Sequence, residues 1–285
     1  MSARIRIVTD STADIPQDVR SRLDIEMVPL KVHFGDEEFL DAVNIGPEEF
    51  YTKLESSSVL PTTSQPSPAD FVEVYQRILQ EEPGAQIMSF HLSSAFSGTY
   101  QSAVLAHSLI EEEADITVVD SKSASYGCGM LAVSAAEMAL AGKSKEDILA
   151  ETQRLRSDMR LYFLVDTLEY LQKGGRIGKA AALFGSILNI KPILTVDNEG
   201  QVAPVDKVRG QKKAMNRIIE LLKRDFGSEP VRIVMAYSHH RQPAEELCGL
   251  VRASFDVKDV HFTTLGAVIG THTGPGAAAI FMFRA

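Results

Sequence analysis

A two-part α/β architecture is predicted here, a Rossmann-like parallel-sheet domain followed by a mixed-sheet α/β domain. Three observations predict it. Short β-branched runs alternate with helical stretches through the first half, the pattern of a parallel sheet covered on both faces. In the second half Asp197-Asn198-Glu199-Gly200 separates two strand-like runs and signals a hairpin, so that sheet should be mixed. The chain has 285 residues, 45% hydrophobic and 24% charged, enough apolar mass for a sizeable core and long enough for two domains.

Taken in order, Arg4 to Thr9 is a β-branched run closed by Asp10-Ser11-Thr12, and Asp14-Ile15-Pro16 opens a helix. Glu26 to Phe34 reads as one strand closed by Gly35-Asp36, and Pro47 with Glu48 and Glu49 opens an acidic first helical turn. Ser56 to Pro68 carries Pro61, Pro66 and Pro68 among hydroxyl residues, which predicts an extended exposed loop. Helix Ala69 to Gln80, strand Gln86 to Phe90, helix Gly98 to Glu112, strand Ile116 to Val119 and helix Gly129 to Leu140 follow. Ser144 with Asp147 three residues on is a capping-box pattern for a helix to about Ser157, which sets the domains at 1–157 and 158–285. Beyond it, strands are predicted at Leu161 to Val165, Ile193 to Asp197, Gln201 to Val208, Val231 to Tyr237, Asp259 to Leu265 and Ala279 to Phe283. The helices of this half are predicted at Gln211 to Phe226 and Gln242 to Ala253.

Charge and composition exclude several classes. With 29 Lys and Arg against 38 Asp and Glu the formal charge is −9, which provides no field to attract a phosphate backbone, so no nucleic-acid partner is expected. No secretion signal precedes the first strand and no long uncharged apolar stretch occurs, so neither export nor a stable membrane anchor is expected. Cys128 and Cys248 stand far apart without a CxxC partner, which fits a reducing cytoplasm. No His, Cys or carboxylate spacing brings three ligands together, so no metal site is expected.

Ligands of open α/β sheets collect beyond the carboxyl ends of the strands, and here those ends are rich in hydroxyls. The clusters are Thr9 to Thr12, Thr62 to Pro66, Leu92 to Tyr100 and Val119 to Ser121. In the third, Ser93, Ser94, Ser97 and Thr99 fall at a strand end just before a helix, where hydroxyls join free first-turn NH groups and favour an anion. Helix capping alone would account for one of them. Thr63 either shapes its turn or binds a ligand. Asp10 and Asp120 are read as turn or cap residues and are given no catalytic role.

Lys173-Gly174-Gly175-Arg176-Ile177-Gly178-Lys179 joins a flexible turn to cations and suits a carboxylate or phosphate, but lacks the spacing of a nucleotide loop. Gly270 to Gly276 reads as a glycine-lined turn presenting an accessible His272. His239-His240 is a weaker candidate at another strand end.

Together the segments Val8-Thr9-Asp10-Ser11-Thr12, Thr63-Ser64-Gln65-Pro66, Leu92-Ser93-Ser94 with Ser97-Gly98-Thr99, Gly174-Gly175-Arg176-Ile177, Arg209-Gly210 before Lys212, and His272-Thr273-Gly274-Pro275-Gly276 resemble the DegV family of fatty-acid-binding proteins. The resemblance implies a non-catalytic carrier subunit of a bacterial fatty acid kinase. It would need no cofactor, hold a long-chain fatty acid such as palmitate in a tunnel, and present its carboxylate to the ATP-binding kinase subunit for conversion to an acyl phosphate. It further implies that Thr63, Ser94 and His272, with Ser97 beside them, bond the headgroup, that Arg176 influences phosphoryl transfer, and that Arg209 and Lys212 form a docking surface. Phe96 within the serine run is expected to narrow or redirect the pocket mouth. At about 0.8 kcal/mol per buried methylene, a chain of roughly 16 carbons supplies around 10 kcal/mol before ordering costs. The competing reading is a stand-alone enzyme for a small carboxylated or phosphorylated metabolite, with His272 as acid or base and Arg176 as anion clamp.

Overall fold

The computed structural model describes residues 4–110, 114–185 and 190–285. In chain order its first part runs β1 (Ile5–Asp10), α1 (Gln17–Leu23), β2 (Ile25–Val28), β3 (Lys31–Phe34), β4 (Glu37–Leu40), α2 (Pro47–Ser56), β5 (Thr62–Ser64), α3 (Pro68–Glu81), β6 (Gln86–His91), α4 (Thr99–Leu109), β7 (Ile116–Asp120), α5 (Tyr126–Leu140) and α6 (Lys145–Asp158). The second part runs β8 (Arg160–Leu164), α7 (Glu169–Lys173), β9 (Ile190–Val196), β10 (Val202–Arg209), α8 (Gln211–Phe226), β11 (Val231–Tyr237), α9 (Gln242–Arg252), β12 (Val257–Thr264), α10 (Ala267–Thr273) and β13 (Ala278–Arg284). Short 3-10 turns at Ser11–Ala13 and Gly178–Leu183 complete the described elements.

Three sheets result. β2-β1-β6-β7 is parallel throughout, β10-β9-β8-β13-β11-β12 is mixed with only β11 and β12 parallel, and β4-β3-β5 is a small antiparallel sheet. The expected α/β class is thus observed. The strand expected over Glu26 to Phe34 is divided between two sheets, because Pro29 has no NH for a ladder and redirects the chain. The expected exposed loop before Pro68 contains β5, whose Thr63 pairs with Val32. Ser144 and Asp147 do form a reciprocal capping box, and so do Ser67 and Asp70 at the start of α3. The helix expected to reach Glu112 ends at Leu109, where Ile110 turns extended, and Glu111 and Glu112 lie outside the described residues.

One apolar cluster is built from both large sheets. Ile7, Met88 and Phe90 of the parallel sheet pack through Leu131 and Ala135 of α5 toward Leu161, Phe163 and Phe281 of the mixed sheet. A second cluster lies on the opposite face of the mixed sheet under α8 and α9, where Ile218, Leu222 and Leu247 meet Ile233 and Met235. The segment carrying His272 departs from expectation. It is the helix α10, whose amino end is held by carboxyl groups from distant segments: Asp14 Oδ1 accepts from Gly266 N at 2.9 Å and Asp41 Oδ1 from Ala267 N at 3.0 Å.

Candidate functional site

A cavity of about 440 Å³ opens between the carboxyl ends of the parallel sheet, one face of the mixed sheet and α10. The size suits a small-molecule site. Its walls are apolar and come from both parts of the chain: Leu30, Leu92 and Phe96 from the first, Leu161, Phe163, Val196, Val202 and Phe281 from the second, with Leu265 just before α10 and Ile269 within it. Polar side chains gather in one region, with Thr63, Ser64, Gln65, Ser97, Arg176, His272 and Thr273 among the lining residues.

Thr63 and His272, 209 residues apart in sequence, are brought into contact, Oγ1 to Nε2 at 3.0 Å. β5 fixes the threonine and the last turn of α10 fixes the histidine. His272 Nδ1 is buried without a hydrogen-bond partner. It can lie there because residue 174 is glycine: a methyl group on Gly174 would fall 2.2 Å from that nitrogen. Burial, helped by the nearby Arg176 guanidinium, lowers the His272 pKa from the usual 6.5 to about 4, so the ring is neutral at physiological pH.

Arg176 is fixed by carbonyls. Its Nε donates to Phe96 O at 3.0 Å and its Nη1 to Gly174 O at 2.7 Å, and it has no carboxylate partner among the described residues. A half-buried cation left without an anion, at the edge of an otherwise apolar cavity, is the arrangement that an acidic headgroup would complete. Phe96 lines the cavity as well as holding Arg176 through its backbone.

The serine run divides. Ser97 lines the cavity, and its Oγ accepts from Thr99 N at 3.3 Å and lies 2.9 Å from Thr99 Oγ1, so it also shapes the start of α4. Ser94 is not among the lining residues. Lys122 Nζ donates to its Oγ at 3.2 Å, and its NH donates to Asp120, which draws it into an ion-paired cluster beside the site. Asp120 is held below the usual carboxylate range by Lys122, Ser94 and backbone donors, against the opposing effect of burial. Arg209 and Lys212 are exposed on either side of Gly210, far from a shared role in the cavity lining and without carboxylate partners among the described residues.

Several participants were missed from sequence. Ser64, whose Oγ lies 3.0 Å from His33 Nε2, and Gln65, whose Nε2 donates to Ser102 Oγ at 3.2 Å, stand in the quoted Thr-Ser-Gln-Pro segment but were not singled out. Gln65 rests where a side chain at Gly98 would be, 2.3 Å from a methyl built there. Ser125 lines the cavity with a left-handed backbone, φ 51°, and donates from Oγ to the buried Asp14 at 2.5 Å. The alternation Ser121-x-Ser123-x-Ser125 was its available signal.

Asp10, read as a turn residue, accepts from Thr12 N and Leu92 N and sits 3.0 Å from His91 Nδ1. His91 Nε2 in turn lies 2.7 Å from Ser89 Oγ, which accepts from Tyr75 at 2.8 Å. This acid–imidazole–hydroxyl chain is fully buried and its partners are all within it, so it braces the strand ends, while Asp10 also lines a separate cleft with Arg20 and Asp41. No sequence spacing pointed to three converging metal-type ligands, but the fold brings donor atoms of Glu55, His239 and His240 within 4.8 Å of one another. Among the described residues no helix is long and apolar enough to cross a membrane.

The chain matches the model of a family described as "Uncharacterised protein, DegV family" over residues 4–285. It is 38% identical over 281 residues to a DegV domain-containing protein of Caldanaerobacter subterraneus subsp. tengcongensis, covering 98% of each chain. It is 37% identical over 278 residues to Protein DegV of Bacillus subtilis, covering 97% of this chain and 98% of that one. Its structure superposes on a fatty-acid-binding DegV family protein from Thermus thermophilus with a TM-score of 0.92 at 40% identity, over 99% of this chain and 100% of that one. A stearic-acid-binding protein from Eubacterium ventriosum gives a TM-score of 0.90 at 28% identity over 98% of both. A cavity where the two large sheets meet, a match along almost the entire length and this agreement of folds lead to one assignment: the chain belongs to the DegV family.

Proposed function

We propose that this protein binds one long-chain fatty acid in the cavity between its sheets and presents the carboxylate to a partner kinase in the cytoplasm. The observation that carries the reading is the combination of apolar walls with a polar region holding a neutral His272, its Thr63 partner and an Arg176 that has no carboxylate partner among the described residues. A ligand such as the stearic acid of the Eubacterium ventriosum protein would need those same two environments. In this reading residues 1–157 supply most headgroup contacts and residues 158–285 cover the acyl chain.

The protonation pattern makes sense of the pair. A neutral His272 that carries its proton on Nε2 donates to Thr63 Oγ1, which orients the hydroxyl hydrogen outward toward a carboxylate oxygen. Ser97 and the α4 amino end add donors, and Arg176 neutralises the charge. Ser94 acts from the rim, by holding Lys122 and Asp120 in place. Arg209 and Lys212, with Lys213, give a locally cationic edge on a chain of net charge −9, suited to an acidic face of the kinase subunit. ATP and metal would come from that subunit, and this chain would contribute position and charge neutralisation near the phosphoryl acceptor.

Mass spectrometry of the organic extract of purified protein tests the core of the proposal. One equivalent of fatty acid is expected. An extract without lipid, together with turnover of a soluble carboxylated metabolite, would establish a stand-alone enzyme instead. Acyl phosphate formed only when kinase, ATP and this protein are combined tests the second half.

A further inference from the structure

A second site lies away from the cavity lining. Glu55 stands in the last turn of α2, while His239 and His240 occupy the loop between β11 and α9. One donor atom from each lies within 4.8 Å of the other two. His239 Nε2 and Glu55 Oε2 are 3.9 Å apart, too far for a hydrogen bond. An exposed ion pair would ask nothing of His240, yet its ring lies beside that of His239, with centroids 4.5 Å apart. Successive residues of a strand point to opposite faces, so this side-by-side placement needs the bend that follows Tyr237.

The bend is held from behind. Ala277 N donates to Ser238 Oγ at 2.8 Å, Ser238 Oγ donates to Pro275 O, and His239 N donates to Pro275 O at 3.2 Å. On the other side the His239 ring packs against Tyr51, whose hydroxyl is anchored on Leu265 O at 3.0 Å. The adjacent cation is drawn off, since Arg241 pairs with Glu245 and lies over the Phe262 ring. Two imidazoles and a carboxylate on such a support form a borderline nitrogen and oxygen donor set, the choice of zinc, nickel or copper over magnesium or calcium. Donors about 2 Å from a tetrahedral ion lie roughly 3.3 Å from one another, so modest rotation of the exposed Glu55 and His240 side chains closes the set.

We propose that Glu55, His239 and His240 bind one divalent transition-metal ion of the zinc class and thereby clip α2 to the loop after β11. The ion would join segments from opposite ends of the chain. It would also stiffen α2, whose Phe50 and Tyr51 press on Gly270 of α10, the helix that carries His272.

Isothermal titration of ZnCl2 into the full chain, free of any histidine tag and of chelating buffer, reads the site. The expected result is one equivalent of saturable binding with a Kd of roughly 10 µM or tighter. Glu55→Gln, His239→Ala and His240→Ala should each weaken it about tenfold or more, while His261→Ala should leave it unchanged. Excess Zn2+ should raise the thermal midpoint of the wild type but not of the His239→Ala/His240→Ala double variant, with folding of each checked by circular dichroism. No saturable heat, binding that survives all three substitutions, or binding lost with His261 would overturn the proposal.

Discussion

His91 and His272 are both withdrawn from solvent, yet their surroundings are opposite. His91 has both ring nitrogens partnered, by Asp10 and Ser89, and the chain continues to Tyr75 and Thr12. His272 has one nitrogen partnered by Thr63, one buried without a partner, a neighbouring cation and a cavity beside it. A saturated polar network resembles the catalytic arrangements it mimics only in its atoms. With both imidazole nitrogens and the serine hydroxyl already engaged, its effect is to fix the fold. Unsatisfied groups beside a cavity mark where something else belongs.

Substitutions at the two histidines should therefore separate stability from binding. The largest effect is expected for His91→Ala, which leaves Asp10 buried without its imidazole and should cost about 3 kcal/mol of unfolding free energy in urea titrations. Folded His91→Ala protein should still carry lipid, and an empty cavity there would erase the distinction. His272→Ala should do the reverse, lowering fatty-acid affinity by roughly tenfold or more while changing unfolding free energy by no more than about 1 kcal/mol. Thr63→Val preserves shape and removes one hydroxyl, so a loss of roughly tenfold in affinity is expected by competition with a fluorescent fatty acid. Ser94→Ala should change affinity by less than about twofold, because its hydroxyl serves Lys122; equal losses at positions 63 and 94 would place both in contact with the headgroup.

The smallest and sharpest test is a titration of His272 by NMR. Its folded pKa is lowered to about 4, so the neutral ring is the form favoured by folding. The stability tied to this group is present above pH 6.5 and is lost as pH falls through 4, since the unfolded chain binds the proton first. Asp41 has the opposite sign. Burial raises its pKa to about 6, so its contribution is present below the unfolded value near 3.8 and is lost as pH rises through 6. Asp41→Asn should reduce that second dependence without moving the histidine resonance.

How far the sequence could be read follows from what kind of information each feature needed. β-Branched runs closed by turn residues located strands of the two large sheets, and the limits of β11 and α8 were predicted to the residue, because such runs and turns are local signals. The α10 helix was hidden. Gly270, Gly274, Pro275 and Gly276 read as a turn, and Val268, Ile269 and Thr271 weaken helix propensity, while the groups that hold it, Asp14 and Asp41, are more than 200 residues away in sequence. Thr63 and His272 could be nominated because small, polar surroundings marked them. Which way Ser94 turns could not be, since Asp120 and Lys122 decide it across the sheet. The convergence of Glu55 with His239 and His240 was invisible for the same reason.

The cavity interrupts a cluster that both large sheets share, so its walls are pieces of one interior with a portion left out. Any oily guest seated there completes the packing between the two halves and behaves as a removable part of the protein's own core. Handing such a guest to another molecule leaves its place to water or to collapse, so each release costs the protein part of its own packing.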